Sequence, residues 1–434
     1  LAVTAQSDNK TYSGLAYAGG NGVSYSGFVA TETSADLAGS LVYSGNAQGA
    51  LNAGTYTIMP SGLLSNNYAI TYYPADLTIH KAPLQVIANA DAKFITQLDM
   101  PGYAGVSYSG FVNGETASVL TTQPTVTRSN TGTESPGLYS NVLEAAGGSA
   151  QNYDLSYSTG HYTIVPAGQL LVRLTNATQI YGGTPTYAIA SAQYLDLNGN
   201  GIIDLQSTAT VTGTAVAITD GVGGAANFTI GPATPTVSTS GKLTKGHYTI
   251  DATGINNTSV NFSNTLTVLG SLDVSAAPLT GAATAVTKTY DGSIAAGSVP
   301  LALTGIVAGD IISVAGTGTY ADKTVGTGKI VNVSGLTFSG QDADNYYMST
   351  QSVADPVGVI TPKNLVVSGL TANTKTYDRS ATAQITTAGA QLNGLIPGDD
   401  VQVSATGLFS SATAGTGKTV TLTSSYSGTD VANY

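Results

Sequence analysis

The sequence has no cysteine and no tryptophan in its 434 residues. Without cysteine there can be no disulfide and no thiolate metal site. A thiol-free chain also fits a secreted bacterial protein that must stay unfolded until export. Charge is scarce: Asp, Glu, Lys and Arg make up 9%, well under the usual ~25%. Only 14 residues are Lys or Arg and the net charge is −11, so the chain could not neutralise a run of phosphates, and nucleic acid is excluded as a partner. No apolar run approaches the ~18–20 residues that cross a bilayer, which argues against membrane insertion. No segment carries a sustained helical period, although "ETSADL" and "ETASVL" could each make one helical turn. The sequence opens at Leu1 and stops in mid-pattern at "VANY", and it reads as a piece of something longer.

What is present points to β structure. There are 53 glycines and 25 tyrosines, and 42% of residues are apolar, enough to bury a core and to exclude disorder. Thr, Val, Tyr and Ile fill short stretches bounded by Gly, Asn, Asp and Ser, the signature of strands and turns. Tyr68, Ile70 and Tyr72 alternate with Ala69, Thr71 and Tyr73, a period of two that sends one set to a core. "YPAD" then reads as a hairpin connection to Leu77–Ile79.

Phrases also repeat. "GVSYSGFV" occurs at Gly22–Val29 and again at Gly105–Val112, "TKTYDGS" at Thr287–Ser293 is answered by "TKTYDRS" at Thr374–Ser380, and "GTGK" recurs at Gly326–Lys329 and Gly415–Lys418. An Asn-Tyr pair or near variant ends at Tyr68, Tyr153, Phe262, Tyr346 and Tyr434. These landmarks divide the chain into five units: 1–81, 82–167, a longer 168–277, 278–363, and 364–434, the last without its final strand. Short strands with regular turns predict a tandem array of five small Ig-like β-sandwich domains. The landmark Asn suits a turn, and its Tyr resembles the tyrosine corner of sandwich domains. Joints such as "KAPL", "AAPL" and "TPKN" are short and stiffened by proline. An elongated rod of about 150–200 Å follows, in which each unit contacts only its neighbours.

The phrase "KTYDG…GD…GTGK…DNYY…ITPK" resembles the YDG repeat, and "NKTYSG…GTYTI…NNYAITYYPADLTIHKAPL" resembles the MBG repeat. "YGGTPTY" in the third unit is similar to the opening of YG-type MBG variants. Unit 2 departs where Phe94 replaces the opening Tyr, and unit 5 where Arg379 replaces Gly, which argues against a glycine-type turn there. The resemblance is to repeats of filamentous-haemagglutinin-like adhesins exported by two-partner secretion. It implies an extracellular or cell-surface stalk of tandem β-domains and supplies no catalytic residue.

Candidate chemistry is sparse. "LDLNGNGIIDLQ" places Asp196, Asn198, Asn200, Ile202 and Asp204 at the spacing of a calcium loop, with Gly201 at the bend. The side-chain oxygens and the Ile202 carbonyl could surround Ca²⁺, but Ser207 stands where a bidentate Glu would complete the set. "ATAGTGKT" at Ala412–Thr419 has the outline of a phosphate loop, yet a strand-like "VTLTSS" follows it, and a glycine-rich hairpin is the simpler reading. His80, His161 and His247 are far apart in sequence and read as joint-packing or exposed residues rather than a zinc site. Tyr12, Tyr68, Tyr290, Tyr346 and Tyr377 hold repeated places and read as core or inter-unit packing, while Tyr25, Tyr73 and Tyr108 are better surface candidates. The expected role is a stalk segment, not an enzyme. The alternatives are direct binding of glycan, matrix polysaccharide or a host-surface protein, and self-association into filaments.

Overall fold

The structure is a computed structural model that describes residues 1–30 and 32–434, with Ala35 by its backbone alone. Among the described residues it is all-β, with forty short strands and only single 3-10 turns for helix. Two of those turns fall at Ser34–Asp36 and Ala117–Val119, within the two phrases that favour a helical turn. No helix is long and apolar enough to cross a membrane among the described residues.

One device organises every unit that has both its first and last strands. In unit 1, Ala2–Ala5 pairs in parallel with Thr71–Tyr73 in one sheet, and Asp8–Thr11 pairs in parallel with Ala75–His80 in the other. The two chain segments switch sheets side by side. "YPAD" is therefore not a hairpin. Pro74 has no N–H to offer a ladder, and it sits where the chain leaves one sheet and enters the next without reversing. The same double pairing joins Ala82–Ala88 to Tyr153–Ser158 and Asp91–Phe94 to Gly160–Val165 in unit 2. It recurs in unit 3 and in unit 4. When first and last strands run parallel, the chain enters at one end of a unit and leaves at the other. Consecutive units then join end to end, with only Lys81 between strands at the first joint and Ala276 at the third.

The tyrosine corner exists, but not at the Asn-Tyr landmarks. Tyr56, Tyr139 and Tyr248 each donate their hydroxyl to a carbonyl four residues upstream, Asn52 at 2.8 Å, Ser135 at 2.7 Å and Thr244 at 2.8 Å. Each lies two residues after a glycine, Gly54, Gly137 and Gly246, that opens a long strand.

The apolar cores do not stop at the unit boundaries. One cluster runs from Leu170 through Tyr181, Leu272, Leu279 and Tyr346 to Ile360, so units 3 and 4 share it. Another joins Tyr12, Ile58 and Leu77 of unit 1 to Leu84, Leu120 and Tyr153 of unit 2. The units are welded rather than strung.

Contacts also extend beyond neighbours, which corrects the strictly linear expectation. Strand Val106–Ser109 of unit 2 lies alongside strands Gly246–Asn257 and Ser271–Ser275 of unit 3, so the array turns at this joint. Unit 4 is thereby brought against unit 1, where the Gln351 side chain donates to Ser13 Oγ at 3.3 Å and to the Leu15 carbonyl at 3.0 Å. Gln351→Ala is expected to lengthen the maximum dimension measured by small-angle scattering, while changing unfolding free energy by no more than about 1–2 kcal/mol. An unchanged scattering profile would show that these bonds do not hold the turn.

Candidate functional site: the joints between units

The duplicated "KTYD" builds one end of a joint. Lys288 Nζ donates to Asp291 Oδ1 at 2.7 Å and to the Ser293 carbonyl at 2.7 Å, and Ser293 N–H donates to Asp291 Oδ1 at 2.9 Å. Lys375, Asp378 and Ser380 repeat these bonds at 2.9, 2.7 and 2.9 Å. The staple closes the corner that follows the tyrosine in units 4 and 5, and the corner glycine is left-handed in units 1, 3 and 4: Gly14, Gly182 and Gly292 have φ of 70°, 83° and 76°. Glycine is needed here for a second reason. A Cβ on Gly182 would lie 2.6 Å from Val307 Cγ2, and one on Gly292 2.9 Å from Ile396 Cγ2, both in the next unit. Arg379 keeps the same corner at φ 65°, contrary to the expectation from its side chain. The Lys375–Asp378–Ser380 staple is made of residues outside position 379 and holds the turn regardless.

The next unit presents a carboxylate to that tyrosine. At the joint of units 3 and 4, Tyr181 of the former and Tyr346 of the latter both donate to Asp310 Oδ2, each at 2.5 Å, and their rings meet edge to face at 5.2 Å. At units 4 and 5, Tyr290 and Tyr434 donate to Asp399 Oδ2 at 2.8 and 2.6 Å, with ring centroids 5.6 Å apart. At units 1 and 2, Tyr12 donates to Glu115 Oε1 at 2.5 Å and Tyr153 donates to Oε2, with centroids 5.5 Å apart. The landmark tyrosine thus shares one carboxylate with a phenol from the unit before it. It also accepts a backbone N–H, from Val112, Val307 or Ile396.

The landmark asparagine does not serve its own turn, as its residue type suggests, but reaches back across the joint. Asn152 Oδ1 accepts the Ala53 N–H at 2.9 Å, Asn345 Oδ1 the Lys245 N–H at 2.8 Å, and Asn433 Oδ1 the Val325 N–H at 3.0 Å. In every case the donor precedes the glycine that opens the long strand of the earlier unit. Unit 3 adds a further hook through its extra length: Thr239 N–H donates to Asp342 Oδ1 at 3.1 Å, and Ser240 N–H to Asp310 Oδ1 at 3.3 Å.

Joint 2–3 lacks all of this. Phe94 replaces the donating tyrosine, Pro136 removes the backbone N–H, and Phe262 replaces the landmark tyrosine. Instead Phe94 and Val165 pack on Leu171, Leu195 and Leu269, and Arg173 Nη1 pairs with the buried Asp91 Oδ1 at 2.6 Å. Beside them is a cavity of about 300 Å³ lined by Asn89, His161, Arg173, His247 and Ser271 among others. Asn89 Oδ1 and Ser271 Oγ are buried without a protein partner, a setting that suits internal water. Sequence distance concealed that His161 and His247 line one cavity; His247 Nδ1 is held by Asp273 Oδ1 at 2.6 Å. His80 does not pack in its joint. Its side chain is exposed and its carbonyl accepts the Tyr12 N–H at 2.7 Å.

The remaining sequence candidates are local. Asp196 Oδ2 accepts from Asn198 N–H at 3.1 Å, Asn200 N–H at 3.2 Å and Asn200 Nδ2 at 2.6 Å, and Ile202 pairs with Leu195 across the hairpin. Asp204 Oδ1 accepts from Gln206 N–H at 2.8 Å. The two carboxylates therefore serve separate turns. Among the described residues no group of three or more His, Asp or Glu is placed to share a metal ion. The phosphate-loop outline lies between the paired strands Gln402–Phe409 and Val420–Ser427, with Lys418 Nζ turned back onto Ser411 Oγ at 2.6 Å.

An all-β chain of units clamped end to end by such joints defines a tandem-repeat protein. Residues 1–78 and 84–163 match the MBG domain (YGX type), and residues 275–353 and 361–434 match the YDG domain. The chain belongs to these repeat families, and neither is an enzyme family. No curated protein matches the sequence.

The joints have a characteristic pH response. Burial, and then the bond to Glu115, push the Tyr12 phenol up to about 12; burial and Asp399 do the same for Tyr434. Tyr153, Tyr181, Tyr290 and Tyr346 are raised for the same reasons. Burial raises Asp310, but donors from Ser240, Tyr181 and Tyr346 outweigh it and leave its carboxyl below the usual range. A raised phenol contributes stability that is fully present below the unfolded value near 10 and is lost as pH rises towards the folded one. A lowered carboxyl contributes stability above about 4 that is lost as pH falls. Denaturant unfolding should therefore be flat from about pH 6 to 10 and weaken up to about 12, with a smaller alkaline slope in Tyr181→Phe/Tyr346→Phe. Each single Phe variant at these positions should cost about 1.5–3 kcal/mol, the range for a hydrogen bond to a charged group.

Proposed function

We propose that this segment is a structural stalk of a large bacterial surface or secreted adhesin, holding a distal binding region away from the cell. The observation that carries this reading is the recurrent joint. Two phenols on one carboxylate, an asparagine on a backbone N–H and a glycine corner recur at three of four boundaries. Such joints transmit load from unit to unit and fix their relative orientation, which a linker of loose chain would not do. Membership of the MBG and YDG families agrees with a repeat-containing extracellular protein. Single-molecule extension of the 434-residue chain should give several unfolding steps rather than one. A glycan array and pull-downs with matrix polysaccharide or host-surface protein should show no saturable binding. One cooperative unfolding event, or saturable binding of any of these, would overturn the passive role.

We also propose that the Asp196 loop takes Ca²⁺ in a millimolar extracellular medium. The side chains of Asp196, Asn198, Asn200 and Asp204 and the Ile202 carbonyl would hold it, and the spacing supports this. Asn198 and Asn200 now turn amide nitrogens towards Asp196, so their oxygens would have to be presented instead. Calorimetric titration of the chain with CaCl₂ should give heat at millimolar concentration that Asp196→Ala abolishes. The absence of heat would remove the site.

A further inference from the structure

The MBG-matched and YDG-matched units differ at the end that receives the unit before them. Unit 2 presents Glu115 to unit 1, with one phenol on each of its oxygens. Unit 4 presents two carboxylates to unit 3. Both phenols bond Asp310 Oδ2, which leaves Oδ1 to be satisfied by other donors. Asp342, four residues before the landmark tyrosine, is the second carboxylate and is 2% exposed. The Ile311 N–H, next in the chain to Asp310, donates to its Oδ2 at 2.8 Å. Unit 5 repeats the pair as Asp399 and Asp430, with the Asp400 N–H on Asp430 Oδ2 at 3.0 Å. Unit 2 has Ser149 at the place of Asp342. A YDG unit therefore asks more donors of the unit that precedes it, because a buried carboxylate left short of them is costly.

Units 3 and 4 meet this demand by different means. Three residues before the glycine that opens its long strand, unit 4 carries Lys323, whose Nζ lies 3.5 Å from Asp399 Oδ1. At that place unit 3 has Leu243, unit 1 has Leu51 and unit 2 has Glu134. None of these side chains can donate, and Glu134 would bring a charge of the wrong sign. Unit 3 has length instead. Its connection before Gly246 runs from 233 to 245, against 321–325 in unit 4. The tip is a turn closed by Gly241 N–H to the Ser238 carbonyl at 2.9 Å and held by a bridge between Val237 and Leu243. From this turn the Ser240 N–H donates to Asp310 Oδ1 at 3.3 Å and the Thr239 N–H to Asp342 Oδ1 at 3.1 Å, while the Thr239 hydroxyl donates to Asp342 Oδ2. One hook thus serves both carboxylates. It lies between residue 163, where the MBG matches stop, and residue 275, where the YDG matches begin.

We propose that the 233–245 hook is an adaptor that fits MBG-type units to a YDG unit, and that the partner it recognises is a receiving end with paired carboxylates. Units 1 and 2 carry neither the cation nor the hook, so either of them placed directly before unit 4 would leave Asp342 and Asp310 Oδ1 short of donors. The change from one kind of unit to the other is made at unit 3 for that reason. This goes beyond the stalk reading and does not rest on it.

Thr239 holds the second place of its turn, where proline is favoured. Thr239→Pro therefore keeps the hairpin and removes both donors to Asp342. In the full chain, hydrogen exchange at the Lys245 and Val307 amides, both bonded at this joint, should quicken about tenfold. Exchange at Ala53, Val112, Val325 and Ile396, which hold the corresponding places at the other clamped joints, should stay as it is. Thr239→Val keeps the N–H and the turn, and should give a smaller rise at the same two amides. Asp342→Ser gives unit 4 the residue of unit 2 and removes the demand. In that background Thr239→Pro should change the two amides by no more than about twofold. No rise at Lys245 and Val307, an equal rise at every joint, or an undiminished effect of Thr239→Pro in the Asp342→Ser chain would overturn the proposal.

Discussion

The array depends on a carboxylate that belongs to one unit and is satisfied only with the help of another. A partly buried Asp or Glu needs donors, and in a chain with few cations most of them are phenols, with Lys323 3.5 Å from Asp399 as an added cation. Tyrosine suits the task because its ring extends the apolar core while its hydroxyl reaches the charge. At Asp310 the two phenols come from different units, and the Ser240 N–H of the earlier unit donates as well, so separating the units would leave a desolvated carboxylate with Tyr346 alone of these three donors. The cost of such an orphaned group exceeds the value of an ordinary hydrogen bond, and this asymmetry makes the joint a fixture rather than a contact. The shared cores follow from the same geometry: two tyrosine rings that converge on one acceptor meet edge to face and close the gap between the apolar interiors.

Much of the architecture was legible in the sequence, and the misses have physical causes. Repeated phrases divided the chain into units, because duplicated copies of one domain keep the same phrase at the same place. They also marked Tyr12, Tyr68, Tyr290, Tyr346 and Tyr377 as packing residues; Tyr12, Tyr290 and Tyr346 are buried, Tyr68 is half-buried, and Tyr377 is 61% exposed. What the phrases could not give was direction. Asn152, Asn345 and Asn433 look like turn residues because Asn usually bonds its own neighbourhood, and nothing local says that the acceptor points out of the unit. Pro74 looked like hairpin punctuation; only long-range pairing shows a chain that changes sheets without turning back. Glu32 and Glu115 were visible as a repeated Glu-Thr pair, but the role of Glu115 required knowing that Tyr12 of another unit would arrive.

The second joint shows how such an array is varied. Phe94, Pro136 and Phe262 lie far apart in sequence, yet each removes a different part of one clamp. Any one alone would leave a polar group without its partner; together they leave an apolar contact in place of the polar one. Arg173 and Asp91 then supply a single ion pair where the other joints use phenols. Without the clamp, strands of the two units lie alongside each other, and a cavity of mixed lining opens between them.

That turn stores length. Among the described residues, the side-chain hydrogen bonds between units 1 and 4 come from one glutamine, whereas the joints on either side are built from several bonds each. Tension between the ends would first release the weak cross-contact and straighten the arrangement, taking up slack before any β-sheet is strained. A segment built in this way is compliant at small loads and stiff at larger ones, and the residues that set the crossover are not those that hold each fold together.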